Sequence, residues 1–106
     1  MGMEDMEKNY EANVTLVERL LLASFKGANV SNCKCRLGGQ KFRIELAAQK
    51  MFLCVSQEYL SDQSESRIRR DFEFHNVPKM LSMNPERYFL LGNDGMQQIP
   101  AQDVAS

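Results

Sequence analysis

The chain has 106 residues, of which 43% are apolar and 25% are charged, and its formal net charge is −1. A chain of this length holds one hydrophobic core, so we expect a single domain over residues 1–106. The composition argues against a disordered chain, and no apolar run has the length of a membrane-spanning helix. The charge is segregated, because residues 1–18 carry −4, residues 19–50 carry +6 and residues 51–106 carry −3. The overall charge therefore does not by itself indicate a protein that binds nucleic acid.

The N-terminus and the cysteine count both indicate a reducing compartment. The first residues are acidic and rich in methionine, and they lack the basic and then apolar segments of a secretory signal. Three cysteines, an odd number, are typical of free thiols and not of a disulfide scaffold. We therefore expect a cytoplasmic protein, and we expect its polar ends, residues 1–9 and 101–106, to be frayed.

The first predicted element is an amphipathic helix over residues 10–26. Apolar side chains recur there at steps of three and four residues, at Tyr10, Val14, Val17, Leu21 and Phe25. Lys26 in the last turn and Gly27 just after it are typical stop signals of a helix. This helix has one apolar face to bury.

A β-hairpin is predicted next, with Gly38-Gly39 as a two-residue turn between residues 32–37 and 40–46. In that pairing Arg36 faces Lys41, and Lys34 faces Arg43. The four cations then share one face, and like charges directly opposite one another destabilise a sheet. We therefore expect carboxylates from elsewhere in the chain, or an anionic partner, to meet this face.

Residues 51–56 continue the sheet as a third strand, after a short connection over residues 47–50. Pairing Leu46 with Met51 gives one consistently apolar face, on which we expect the helix to pack. Its members are Cys33, Cys35, Phe42, Ile44, Leu46, Met51, Leu53 and Val55. Phe52 lies on the reverse face, among the cations.

The rest of the chain is predicted as a loop, a fourth strand and a second hairpin. Residues 56–66 are polar and are interpreted as a loop with room for one helical turn, and residues 67–75 alternate like a strand. A short helix over residues 79–83 follows. Residues 86–91 carry both a helix-start pattern and a strand pattern, and we favour a strand whose hairpin returns over residues 96–99.

These elements predict an α+β fold, with the N-terminal amphipathic helix packed on an antiparallel sheet of about five or six strands, a meander plus a C-terminal hairpin. The order of a helix, the meander CKCRLGGQKFRIELAAQKMFLCVS, the segment MLSMNP and a late hairpin resembles, in layout, the small dimeric class I chaperones of type III secretion. That resemblance implies a homodimer that binds an effector. Those chaperones typically end in a further helix, where this chain has AQDVAS.

The cationic face is the first candidate binding site. Its residues are Lys34, Arg36, Lys41, Arg43 and Phe52. Cations around an aromatic ring are typical of sites for single-stranded nucleic acid or another polyanion. Alternatively, Asp71 and Glu73 of the predicted fourth strand, or the acidic N-terminus, neutralise the face internally, which is the interpretation we favour. An acidic protein or a second copy of the chain is the third alternative.

Metal and catalytic sites are not expected. Cys33 and Cys35 form a C-x-C pair without the usual zinc knuckle, and Cys54 has the opposite strand phase, so these cysteines are interpreted as small apolar side chains. His75 is the only histidine, and no catalytic motif surrounds it. We therefore expect no enzyme, no cofactor and no small-molecule substrate.

The surplus of apolar residues near the C-terminal end suggests an interface. Its candidate residues are Met80, Met83, Tyr88 and Phe89, and the alternative is that they complete the core. We expect a non-catalytic, small intracellular protein-binding or adaptor module that acts as a homodimer. Binding of nucleic acid through the hairpin and a secretion-chaperone-like role are the alternatives, and no membrane partner is expected.

Overall fold

A computed structural model describes the backbone of residues 3–104 and the side chains of residues 9–102. The described part of the chain forms α1 (Met3–Ser24), β1 (Asn29–Lys34), β2 (Gln40–Leu46), β3 (Gln49–Val55), α2 (Gln57–Asp62), α3 (Glu65–Phe74), α4 (Val77–Met83), β4 (Tyr88–Gly92), β5 (Gly95–Ile99) and α5 (Ala101–Val104). The predicted fold class is confirmed, since an N-terminal helix packs on a five-stranded, mostly antiparallel sheet. The prediction of frayed ends falls partly on residues 1, 2, 105 and 106, which lie outside the described residues.

The five strands lie in the order β1-β2-β3-β4-β5. Neighbouring strands are antiparallel except β3 and β4, which are parallel and are connected through α2, α3 and α4. A parallel connection needs such a crossover, because the chain must return to the end of the sheet from which it started. The predicted C-terminal hairpin is confirmed as β4 and β5, and residues 88–91 are therefore strand and not helix.

Helix α1 begins at Met3 and ends at Ser24, so it starts seven residues before the predicted Tyr10. Its buried face is the predicted one, with Leu16, Val17 and Leu21 in the core, and Phe25 continues this face directly after the helix. Gly27 has a φ of 85°, the left-handed conformation that the predicted stop signal requires.

The larger of the two hydrophobic clusters lies on one side of the sheet. The main core joins residues of α1 to α4 with the inward side chains of the strands: Phe42, Ile44, Met51, Leu53, Val55, Phe89 and Leu91. A second, smaller cluster lies on the opposite side of the sheet and contains Cys35, Cys54 and Ile99, packed against Tyr88 and Leu90. No helical residue belongs to this second cluster, among the side chains that the structure describes. We call this side of the sheet the open face.

The predicted fourth strand over residues 67–75 is wrong, because Glu65–Phe74 is the helix α3. Ile68 and Phe72 satisfy both an alternating pattern and a helical one, and as a helix they are both buried. Ser64 caps the helix by accepting from the Arg67 N–H, a signal that the alternating pattern concealed. Upstream, the predicted loop over residues 56–66 contains α2, which Ser56 caps in the same way.

Buried Asn13 joins α1 to the end of α2. Its Nδ2 donates to the carbonyl oxygens of Leu60 and Gln63, both at 2.8 Å. We expect Asn13→Ala to lower the free energy of unfolding by about 2 kcal/mol, because two carbonyls at a helix end lose their donor. Asn9→Ala, at an exposed position of the same helix, should change it by less than ~0.5 kcal/mol. Urea unfolding of the two variants compares them directly, and equal losses would contradict this role of Asn13.

Candidate binding face

The hairpin of β1 and β2 has a longer loop than predicted. β1 ends at Lys34, and residues 35–39 form the loop. The Cys35 N–H donates to the Gly39 carbonyl at 3.0 Å, and the Gly38 N–H donates to the Cys35 carbonyl at 2.9 Å. Lys34 pairs with Gln40, and not with Arg43 as the two-residue turn predicted.

This register shows that the predicted face of four cations is wrong. The observed pairing of β1 differs from the predicted one by an odd number of residues, so every side chain of β1 changes sides. Lys34 lies on the helix side of the sheet with Gln40, and Arg36 lies in the loop. Lys41 and Arg43 stay on the open face, where they pair with Cys33 and Ser31.

The register between β2 and β3 also differs from the prediction, but by an even number. Leu46 pairs with Gln49, and Ile44 pairs with Met51. An even shift leaves the faces unchanged, so Met51 and Leu53 are buried against the helices as predicted and Phe52 is on the open face.

A stacked aromatic pair lies at the centre of the open face. Phe52 on β3 pairs with Tyr88 on the parallel strand β4, and their ring centroids are 4.3 Å apart with an interplanar angle of 11°. Both side chains are half-buried. They form part of the wall of an open groove of ≈ 330 Å³ that crosses β1 to β4. Its lining residues are Ser31, Asn32, Cys33, Lys41, Arg43, Lys50, Phe52 and Tyr88.

The charges along this groove are mainly positive. Arg43 Nε lies 3.0 Å from Glu45 Oε1, and the two side chains are 44% and 47% exposed. An ion pair this exposed contributes little stability, so Arg43 can exchange Glu45 for another carboxylate at small cost. Lys50 is exposed on the neighbouring strand, where it pairs with Glu45 in the register of β2 and β3.

Asp71 and Glu73 were predicted to neutralise this face from a fourth strand. That prediction is wrong, because residues 67–75 do not form a strand. Both lie on α3, on the helix side of the sheet. Asp71 accepts hydrogen bonds from Arg67 and Tyr59 instead.

Lys50 and Tyr88 were not predicted as members of the cationic face. The sequence pattern predicts Lys50 in the connection over residues 47–50, whereas β3 begins at Gln49. Its position in an alternating run with Phe52 and Cys54 was the available signal. Tyr88 reaches the face only because β4 pairs with β3 in parallel, and no local pattern indicates that partner.

The predicted interface residues are separated by the structure. Met80 and Met83 lie on α4 and are 39% and 66% exposed, whereas Tyr88 belongs to the open face. Phe89 is 2% exposed and lies in the main core, so it offers no surface to a partner. Its inward direction follows from the strand alternation that brings Tyr88 outward.

The cysteines and His75 do not form a metal site in the described part of the chain, where no group of three or more potential ligands comes together. Cys33 is exposed, while Cys35 and Cys54 are buried under the open face. Burial raises the pKa of the Cys54 thiol, and the electrostatic effect of the neighbouring Cys35 raises it further. His75 ends α3, and its ring packs edge-on against Phe74 with centroids 5.0 Å apart.

The fold and the site together define a two-layer α+β domain, with helices on one side of the sheet and a partly apolar, cationic groove on the other. The chain matches no protein-family model, and neither a curated protein nor a solved structure is significantly similar to it. Among the described residues, no helix combines the length and the apolar character needed to cross a bilayer. The groove itself is therefore the basis for assigning a function.

Proposed function

We propose that the protein is a small, non-catalytic protein-binding module that uses the groove of the open face. The observation that carries this proposal is that helices cover only one face of the sheet. The other face presents Phe52 and Tyr88, with Arg43 and Lys50 on the same groove. Half-buried aromatic side chains beside arginine are typical of the energetically dominant part of protein interfaces. The partner segment that fits has acidic side chains next to an apolar one.

The stacking of the two rings favours a protein over a single-stranded nucleic acid. Bases of a single strand bind by stacking on free aromatic faces, and each stacked base contributes roughly 1–3 kcal/mol. Phe52 and Tyr88 cover one face of each other, which reduces the ring area on which a base can stack. The aromatic pair supplies apolar contact area for an aliphatic side chain, and Arg43 and Lys50 supply two charges for carboxylates.

Self-association belongs to the same proposal but to another surface. Two copies that met through their open faces would bring Arg43 and Lys50 against the same cations, which is unfavourable. The exposed Met80 and Met83 on α4 lie on the helix side and support the proposed homodimer there. We propose that the module acts in the cytoplasm.

Charge reversal on the groove tests the proposal. Tagged protein is used to capture partners from lysate of the native cells, before and after nuclease treatment. We expect Arg43→Glu with Lys50→Glu to reduce the capture of a protein partner by roughly tenfold or more, because both cations then repel its carboxylates. Arg69→Glu with Arg70→Glu makes the same change in net charge on the exposed side of α3, and it should bind like the wild type.

Three outcomes distinguish the alternatives. Loss of the partner in the groove variant alone supports the protein-binding proposal. Equal capture by the wild type and the groove variant would remove the groove as the binding surface. Capture that disappears after nuclease treatment, together with binding of a labelled oligothymidine that weakens steeply with salt, would assign the face to nucleic acid.

A further inference from the structure

The three cysteines of the chain converge near one end of the open face. Cys54 lies in the middle of the sheet on β3 and is fully buried, and Cys35 lies in the loop between β1 and β2 and is 7% exposed. The two side chains belong to one buried cluster with Ile99, on the side of the sheet that no helix covers among the described residues. Two buried thiols in contact are the arrangement from which a disulfide can form without a large movement of the backbone.

The loop is held in this position by its contact with β3. Gly39 is buried, and a Cβ atom at this residue would lie 2.0 Å from the Val55 carbonyl oxygen, so the backbone of the loop lies directly against the end of β3. The loop that carries Cys35 therefore lies against the end of β3, the strand that carries Cys54. This contact is independent of the cysteines themselves.

The exposed Cys33 is excluded as a partner of Cys54 by the register. Cys33 pairs with Lys41, and Lys41 pairs with Cys54, so β2 separates the two cysteines. Strands two apart are separated by about 9.6 Å, and disulfides join Cα atoms no more than about 7 Å apart. Of the two thiols near the loop, only that of Cys35 can reach Cys54.

We propose that Cys35 and Cys54 are a modification site at which hydrogen peroxide forms an intramolecular disulfide. The Cys35 sulfur attacks one oxygen of the peroxide, the O–O bond breaks, and a sulfenic acid and one water form. The Cys54 sulfur then displaces the hydroxyl group, so that an S–S bond forms, the S–O bond breaks, and the thiol proton leaves in a second water. The two thiols are oxidised by two electrons in total, and the peroxide is reduced to two waters.

Peptide mapping of the wild-type protein tests this proposal, since trypsin separates the three cysteines. They fall in the peptides GANVSNCK, CR and MFLCVSQEYLSDQSESR. The reduced protein is treated with hydrogen peroxide, alkylated and digested without a reductant. We expect the second and third peptides to be linked, with a mass two hydrogens below their sum, and we expect the first to carry the alkyl group.

The stability of the oxidised protein provides a second measurement. A disulfide that closes the chain from residue 35 to residue 54 should raise the melting temperature by roughly 10 °C, and a reductant should reverse the rise. Cys33→Ser should form the same link and show the same rise. The proposal is overturned if the Cys54 peptide is fully alkylated after peroxide treatment, or if it is linked to the Cys33 peptide instead.

Discussion

Gly39→Ala is expected to lower the free energy of unfolding by about 4 kcal/mol, which is a large part of the stability of a domain of this size. The added Cβ would lie 2.0 Å from the Val55 carbonyl oxygen and 2.8 Å from the Gln57 backbone nitrogen. Both are backbone atoms of the segment that joins β3 to α2, and they cannot move aside as a flexible side chain can. The φ of 85° adds the strain of a left-handed conformation.

The neighbouring glycine is the matched control. Gly38 has a similar φ of 95°, but the nearest atom to its added Cβ is the Gln57 Oε1, at 3.9 Å. Gly38→Ala should therefore cost only the left-handed strain, about 1 kcal/mol. Urea unfolding of the two variants separates backbone strain from the close approach to β3. Equal losses in the two variants would show that the loop does not lie against β3.

The same loop shows how far the sequence predicts this hairpin. Gly38-Gly39 between two alternating runs correctly predicts a hairpin at this place. The length of the loop depends on the contact of Gly39 with β3, which is tertiary and has no local pattern. Side chains of a strand alternate between two faces, so a register error of an odd number of residues assigned every side chain of β1 to the wrong face. The four predicted cations therefore do not share one face.

The helical segment between β3 and β4 illustrates a second limit. Residues 67–75 alternate well enough for a strand, but Ile68 and Phe72 are also four residues apart, and tertiary packing selects the helix. The parallel pairing of β3 and β4 follows from that choice, since a crossover must connect the two strands. Tyr88 can therefore be placed beside Phe52 only if the segment over residues 67–75 is predicted as a helix.

The predictions that the structure confirms depend on long patterns. The apolar stripe of α1 extends over several helical turns, and the alternation of β2 and β3 keeps its faces although their register was two residues out. Arg43 and Phe52 were therefore placed correctly on the face away from the helices. The candidate groove was predicted in part, and its Lys50 and Tyr88 required the observed strand bounds.

A buried network around Asp71 fixes the helices α2 and α3 to each other. The Tyr59 hydroxyl, from a fully buried ring, donates to Asp71 Oδ2 at 2.7 Å. Arg67 Nε lies 3.1 Å from both carboxylate oxygens, one helical turn before Asp71. Burial raises the pKa of the Tyr59 phenol, and the hydrogen bond to Asp71 raises it further, so Tyr59 is the donor at neutral pH.

Asp71→Ala should therefore lower the free energy of unfolding by about 3 kcal/mol, because it leaves a buried hydroxyl without an acceptor and removes the partner of Arg67. Asp71→Asn retains an acceptor for Tyr59, and we expect it to lose about half as much.

Glu65→Ala is the control: it removes the ion pair with Arg69, which has the same i,i+4 spacing on α3 and an Nε to Oε2 distance of 3.0 Å. That pair is exposed, so its loss should cost less than ~0.5 kcal/mol. Urea unfolding at neutral pH ranks the three variants. A similar cost for Asp71→Ala and Glu65→Ala would mean that burial and the Tyr59 hydrogen bond add nothing to the ion pair.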